Sequence, residues 1–361
     1  MEGKFILKKM APYKQGMQTE EVKKQFSLTN IVKLASNENP YGFSPLVKNI
    51  MQNLDWEIYP DGHASRLRTS LANKWDIGED NLIFGSGSDE LIEIICRTFL
   101  YDGVNTVMAA PTFSQYKHHA LIEGATVKEI PTMNGHHDLD GMLNAIDKNT
   151  KVVWICSPDN PTGVYISPPS FHSFMEQCPD DVLVVLDEAY FEFVDPSLQM
   201  SAKDNISRYP NLVVLRTFSK AYGLAGLRIG FGIMNKAISN KMNTVRGPFN
   251  TTSIAQEAAR ISLEDDLFIE KTCRLNKEVK KDFEQFLDQI GWNYFESQTN
   301  FLLIETPNDA DHLTNYLLRN GFIVRSGNLL GYPKTIRVTI GKKDDMKQLQ
   351  QLLTQYINEE G

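Results

Sequence analysis

Between residues 81 and 218 short apolar runs recur, each closed by a polar or small-residue loop. Leu82-Ile83-Phe84, Thr106-Val107-Met108, the stretch 126–130, Val152-Val153-Trp154-Ile155, the stretch 182–186 and Leu212-Val213-Val214-Leu215 have the length and β-branched content of buried strands. Helical patterns lie between them, one running through Leu100 and one near Tyr116. This alternation predicts an α/β fold, a mostly parallel sheet covered by helices. After about residue 250 the pattern changes to a long amphipathic helix over 254–287, then Phe301-Leu302-Leu303-Ile304, a helix, Ile336-Arg337-Val338-Thr339-Ile340 and a final helix. A smaller α+β domain is expected there. Residues 1–31 are mixed and polar, with a turn at Tyr13-Lys14-Gln15-Gly16 and a helical pattern over 20–26. The division expected is an arm at 1–31, a large domain at 32–248 and a small one at 249–361, in keeping with roughly 150 residues per domain.

In open α/β sheets ligands bind beyond the carboxyl ends of the strands, so the residues closing these runs are the candidates. Gly85-Ser86-Gly87-Ser88-Asp89-Glu90 reads as a glycine turn opening a helix at Ser88, whose free N–H groups suit a phosphate. A dinucleotide fingerprint is not completed, because Glu90 stands where the third glycine belongs. Phe113 follows the turn of Pro111-Thr112 and could stack on a flat ring, or could be core. Ser157-Pro158-Asp159-Asn160-Pro161-Thr162-Gly163 is a turn compatible with a cis Asn160–Pro161 bond, and Asn160 could donate to a phenolate oxygen. Asp187 closes an all-apolar strand, where an acid is costly to bury without a cationic partner. A protonated pyridine nitrogen is such a partner; the rival, a nucleotide-site aspartate, lacks the Gly-Lys-Ser/Thr loop that would precede it.

The last of these strand ends is Thr217-Phe218-Ser219-Lys220-Ala221-Tyr222-Gly223-Leu224-Ala225-Gly226-Leu227-Arg228. Its small residues leave Lys220 little covered, and a nearby cation with partial burial lowers an ammonium pKa. The product is a nucleophilic amine able to form a Schiff base with a carbonyl. Thr217, Ser219 and Arg228 offer two hydroxyls and a planar guanidinium to a phosphate. A carbonyl-bearing phosphate ester held on a lysine describes pyridoxal 5′-phosphate.

The net charge of −8 argues against nonspecific binding to nucleic acid or to an anionic membrane. Cys96, Cys156, Cys178 and Cys273 lie far apart with no Cys-x-x-Cys pair, which points away from zinc ribbons and a disulfide framework and towards a reducing cytoplasm. Met1-Glu2-Gly3-Lys4-Phe5 carries no apolar leader, and no stretch approaches about 18 consecutive apolar residues. The pairs His118-His119 and His136-His137 lack the helical i, i+4 spacing of a metal site and are expected at the surface, with no metal bound.

At these positions the chain resembles the class-II, fold-type-I pyridoxal-phosphate aminotransferases. Thr217 to Gly226 matches the lysine signature of that family, with Asn160-Pro161-Thr162-Gly163 and Asp187-x-x-Tyr190 in the family's order. Ala35-Ser36-Asn37-Glu38-Asn39-Pro40, Tyr59-Pro60-Asp61-Gly62 with Arg66-Leu67, Pro111-Thr112-Phe113 and Ile336 to Gly341 are similar to the branch that exchanges amino groups between histidinol phosphate and glutamate or 2-oxoglutarate. The resemblance implies that Lys220 is the Schiff-base lysine and general base, Asp187 the partner of the ring nitrogen, and Asn160 and Tyr190 the donors to the ring hydroxyl. It implies a phosphate cup of Ser88, Asp89, Thr217, Ser219 and Arg228, and a stacking role for Phe113, where some relatives carry a tyrosine. It implies a homodimer in which Tyr59 reaches the neighbouring subunit's cofactor phosphate. Arg337, with Arg325, Tyr13 and Asn39, falls on the substrate side. Aromatic amino acids are the alternative substrates, and decarboxylation of O-phosphothreonine is a further one. A noncatalytic regulator would need a DNA-binding domain, for which residues 1–31 are too short.

Overall fold

The computed structural model describes residues 3–12, 17–48, 55 and 57–360. Its strands are β1 (Val32–Lys33), β2 (Leu82–Gly85), β3 (Asn105–Ala110), β4 (Thr126–Pro131), β5 (Thr150–Cys156), β6 (Leu183–Asp187), β7 (Leu212–Thr217), β8 (Gly230–Met234), β9 (Phe301–Glu305), β10 (Phe322–Ile323), β11 (Arg325–Ser326) and β12 (Thr335–Thr339). Seven of them form one sheet in the order β2-β8-β7-β6-β5-β3-β4. The ladder from β7 to β4 is parallel; β8 runs antiparallel to both its neighbours.

Side chains alternate across the sheet, so each central strand feeds two cores. Val153, Ile155, Val184, Leu186, Leu212 and Val214 enter one cluster, while Val152, Trp154, Leu183, Val185, Val213 and Leu215 enter the other. Both faces are therefore covered, which is why these strands read as unbroken apolar runs. The antiparallel β8 falls outside that pattern because two of its five residues are glycine. Space requires one of them: a Cβ at Gly230 would lie 2.6 Å from the backbone nitrogen of Ser88.

A second body is built on the antiparallel sheet β11-β12-β9 and the parallel pair β1–β10. Its core joins Leu34, Val279, Phe283, Leu302, Ile304, Leu313, Ile336 and Val338. The helix expected over 254–287 is two helices, Ser253–Ser262 and Asp266–Gln289. Asp265 divides them by accepting the Phe268 N–H at 3.1 Å as an N-cap. The first packs Ala255, Ala258 and Ala259 into the large core; the second carries Val279, Phe283 and Leu287 into the small one. Leu263 and Ile269 still pack with the large cluster, while Val32 of β1 and Leu34 pack in the small one. The turn at residues 13–16 lies outside the described residues.

Candidate active site

The carboxyl ends of β2, β5, β6 and β7 line up with the start of the antiparallel β8: Gly85 pairs with Gly230, Gly230 with Thr217, and Asp187 with Cys156. Beyond them opens a cavity of about 690 Å³, bounded on its far side by β12 and the segment 35–38.

At one end of the cavity the helix Gly87–Phe99 begins, and its cap residue Ser86 makes no side-chain cap bond, so the first-turn N–H groups are open to an anion. Gly87 has φ +78°, and a Cβ there would run into the guanidinium of Arg228. Arg228 itself adopts φ +55°, which turns its Nη1 to 3.4 Å from Ser219 Oγ and its Nη2 to 3.3 Å from Asp89 Oδ2. Thr217 Oγ1 donates to Ser219 Oγ at 3.0 Å. Ser88, Asp89, Thr217, Ser219 and Arg228 all line this end.

Asp187 is buried, and burial lifts its carboxyl to about 6 against the hydrogen bonds it accepts. Those come from the Tyr116 hydroxyl at 2.7 Å and the Ala189 N–H at 3.1 Å. Among the described residues no cationic side chain bonds to it, so the acid still lacks its counter-charge. Tyr116 was not legible as a site residue: it stands in the first turn of the helix Gln115–Ile122, three positions after Phe113 in the preceding loop, stacks on Trp154 at 4.8 Å and meets Phe113 edge-on at 5.6 Å. Phe113 lines the cavity.

Lys220 extends its amine to 3.4 Å from the Ser36 carbonyl and 5.6 Å from the centre of the Tyr190 ring. Burial, with Arg337 nearby, lowers it to about 8. Tyr190 is buried, which raises its phenol, and its oxygen accepts the Asn37 amide at 2.9 Å. Arg337 donates to Asn160 Oδ1 at 2.5 Å and to the Ala35 carbonyl at 2.9 Å. Arg325 faces Arg337 across the β11–β12 ladder, and both are buried and line the cavity.

Three expectations change. Asn39 does not line the cavity: its amide donates to the Ala221 carbonyl at 2.8 Å and its Oδ1 accepts the Tyr41 N–H at 2.9 Å, so it braces backbone beside Lys220 while Asn37 faces the site. His137 is buried, not superficial, because the buried Asp159 carboxylate gathers donors: His137 Nε2 at 3.2 Å, Thr112 at 2.6 Å and Thr162 at 2.9 Å. The cis bonds are Ala110–Pro111 and Ser157–Pro158, not Asn160–Pro161. Tyr59 is 79% exposed, stacked on Phe249 at 4.9 Å and away from this chain's cavity; Tyr13 lies outside the described residues. Among the described residues no cluster of three or more His, Cys, Asp or Glu could hold a metal ion, and no helix is long and apolar enough to cross a membrane.

The sequence pattern of the family described as "Aminotransferase class I and II" matches residues 29–353. The chain belongs to the class I and II aminotransferases. This aminotransferase is 52% identical to histidinol-phosphate aminotransferase 2 of Oceanobacillus iheyensis, across 100% of both chains. It is 49% identical to the histidinol-phosphate aminotransferase of a Geobacillus species, across 99% of each. Among solved structures, the histidinol-phosphate aminotransferase of Sinorhizobium meliloti in complex with pyridoxal-5′-phosphate shares its fold, with a TM-score of 0.89 at 23% identity over 99% of this chain and 98% of that one.

Proposed function

We propose that this aminotransferase uses pyridoxal 5′-phosphate to move the amino group of histidinol phosphate to 2-oxoglutarate, giving imidazole-acetol phosphate and glutamate, a step of histidine synthesis. The observation that carries the reading is a buried acid without a cation, Asp187, in one cavity with an amine lowered to about 8, Lys220. The cofactor's chemistry fits what surrounds them. Its phosphate matches the open helix N-terminus and Arg228, its ring nitrogen supplies the cation Asp187 lacks, and its aldehyde suits the Lys220 amine. When bound, it supplies an electron sink that acidifies the substrate's α-carbon.

The chain's own residues do the rest. Asp187 would keep the ring nitrogen protonated, and Phe113, which lines the same cavity, would stack on the ring. Asn160 and Tyr190 donate to the ring hydroxyl. Arg337 takes the substrate carboxylate and Arg325 adds the second cation that a phosphate-bearing substrate calls for. Lys220 would remove the α-proton and return it; an amine near 8 holds about two orders of magnitude more neutral base at neutral pH than one at 10.5.

We also propose a cytoplasmic homodimer in which Tyr59 serves the neighbouring subunit. Its support is the exposure of Tyr59 and of the Phe249 ring stacked on it, and four cysteines that are all free. The substrate is tested by mixing the purified holoenzyme with histidinol phosphate or with phenylalanine and following loss of the cofactor's visible band. Histidinol phosphate should react at least about tenfold faster, since its phosphate offers Arg325 and Arg337 more charge and more acceptor oxygens than the carboxylate of phenylalanine does. Equal rates would make aromatic amino acids the substrates instead.

A further inference from the structure

The segment Ala35–Asn39 crosses the cavity as a strap tied to both bodies of the molecule. The Ala35 carbonyl accepts from Arg337, the Ser36 carbonyl from Lys220, and Asn39 donates to the Ala221 carbonyl. Asn37 is the most heavily bonded residue of the strap. It is 2% exposed and holds φ +57°, a left-handed conformation that asparagine tolerates better than other side chains with a Cβ. Its carbonyl accepts the Asn300 amide at 3.0 Å, and its N–H donates to Thr339 Oγ1 at 2.9 Å.

That last bond fixes the polarity of everything beyond it. With its oxygen occupied by the Asn37 N–H, the Thr339 hydroxyl sends its own hydrogen to Asn37 Oδ1, 3.0 Å away. The Asn37 amide nitrogen then has to face Tyr190, and an NH₂ group can only donate. The phenol oxygen is therefore the acceptor of this bond and keeps its hydrogen for another partner. Thr339 stands two residues after Arg337 on β12, on the same face of the strand.

We infer that Asn37 is the positioning residue for Tyr190: held by Thr339 of the smaller body, it aims the Tyr190 hydroxyl hydrogen into the cavity. Strand β12 then sets both the carboxylate-binding arginine and the direction of the tyrosine proton. This inference rests on the proposed role of Tyr190 as donor to the cofactor's ring oxygen. The charged and titratable groups around the phenol are Arg337, Lys220, Asp187 and Cys156, and none of them lies in the Asn37–Thr339 path.

The test is the pH midpoint at which the visible band of the bound cofactor changes in the holoenzyme, measured for Asn37→Gly, Tyr190→Phe and the double variant. Glycine keeps the positive φ without strain, so only the amide is lost. Losing a donor leaves more negative charge on the ring oxygen to retain a proton at the Lys220 nitrogen, so Tyr190→Phe should raise the midpoint by about one pH unit. Asn37→Gly should raise it by a large part of that, and the double variant should match Tyr190→Phe alone. An unchanged midpoint in Asn37→Gly, or additive shifts, would overturn the inference; no shift in Tyr190→Phe would instead overturn the role given to Tyr190. Thr339→Val, which leaves the strap sequence intact, should shift the midpoint in the same direction, and its failure to do so counts equally against the inference.

Discussion

The carboxyl of Asp187 puts function and stability in opposition at a single residue. Folding moves it from the ordinary 3.8 to about 6, with burial as the main cause and the Tyr116 hydroxyl pulling the other way. In the cofactor-free protein the folded state therefore retains a proton that the unfolded chain releases between these two values. Stability falls as pH rises through about 4 to 6 and is flat above, a loss of about 3 kcal/mol at neutral pH. Asp187→Asn should remove that loss. Its melting temperature without cofactor should exceed that of the parent by about 2–6 °C at pH 7 and by little at pH 4, read by thermal unfolding at both. With cofactor the same variant should lose at least about three orders of magnitude in turnover, since nothing then holds the ring nitrogen's proton. A parent protein whose melting temperature is flat from pH 4 to 6 would contradict the argument.

The junction of three elements, the start of helix Gly87–Phe99, the end of β7 and the start of β8, makes the anion cradle, and glycines rather than polar groups set its shape. A Cβ at Gly87 would both demand a positive φ of alanine and displace Arg228; the backbone part alone is about 1–2 kcal/mol. Gly103 has φ +90° with open space around it, so Gly103→Ala carries the strain without the displacement. Equilibrium dialysis with pyridoxal phosphate should show at least tenfold weaker binding for Gly87→Ala and parent-like binding for Gly103→Ala. Matching affinities in the two variants would mean that the cradle does not depend on Gly87. The elements were legible wherever pattern and environment coincide: a strand buried on both faces is an apolar run, and the polar residue that ends it, as with Asp187, Asn160 and Lys220, stands out. Where they diverge the sequence was silent. Strand β8 opens on Gly230 because the Ser88 backbone presses on it, and the helix break at Asp265 hides inside a continuous amphipathic pattern. Asn37 owes its place to Tyr190 and Thr339, 153 and 302 residues away, a relation no local pattern carries. His137 is buried against Asp159, 22 residues on in the chain.

At the scale of the whole molecule, the site is assembled from parts that fold into different cores. The large sheet presents Lys220 and Asp187, the smaller body presents Arg325 and Arg337, and segment 35–38 joins them. Tyr59, expected at a site, is absent from this inventory: it is exposed, stacked on Phe249, and does not reach its own chain's cavity. An aromatic held on the surface by another exposed aromatic, with Ile58 and Phe43 also uncovered, is what an isologous dimer would bury. If the partner subunit completes each site through this tyrosine, two differently damaged chains can repair one another. Lys220→Ala and Tyr59→Ala homodimers should both be impaired, the first by loss of its base and the second by a weakly held cofactor. Unfolded together and refolded as a mixture, half the dimers are hybrids, and one of the two sites in each hybrid draws an intact lysine and an intact tyrosine from opposite chains. Activity should then rise to about a quarter of the parent's over that of the separate variants, with sedimentation confirming a dimer throughout. If Tyr59 instead acts within its own chain, each hybrid holds only one wholly intact-lysine site, still lacking its tyrosine, and mixing restores nothing.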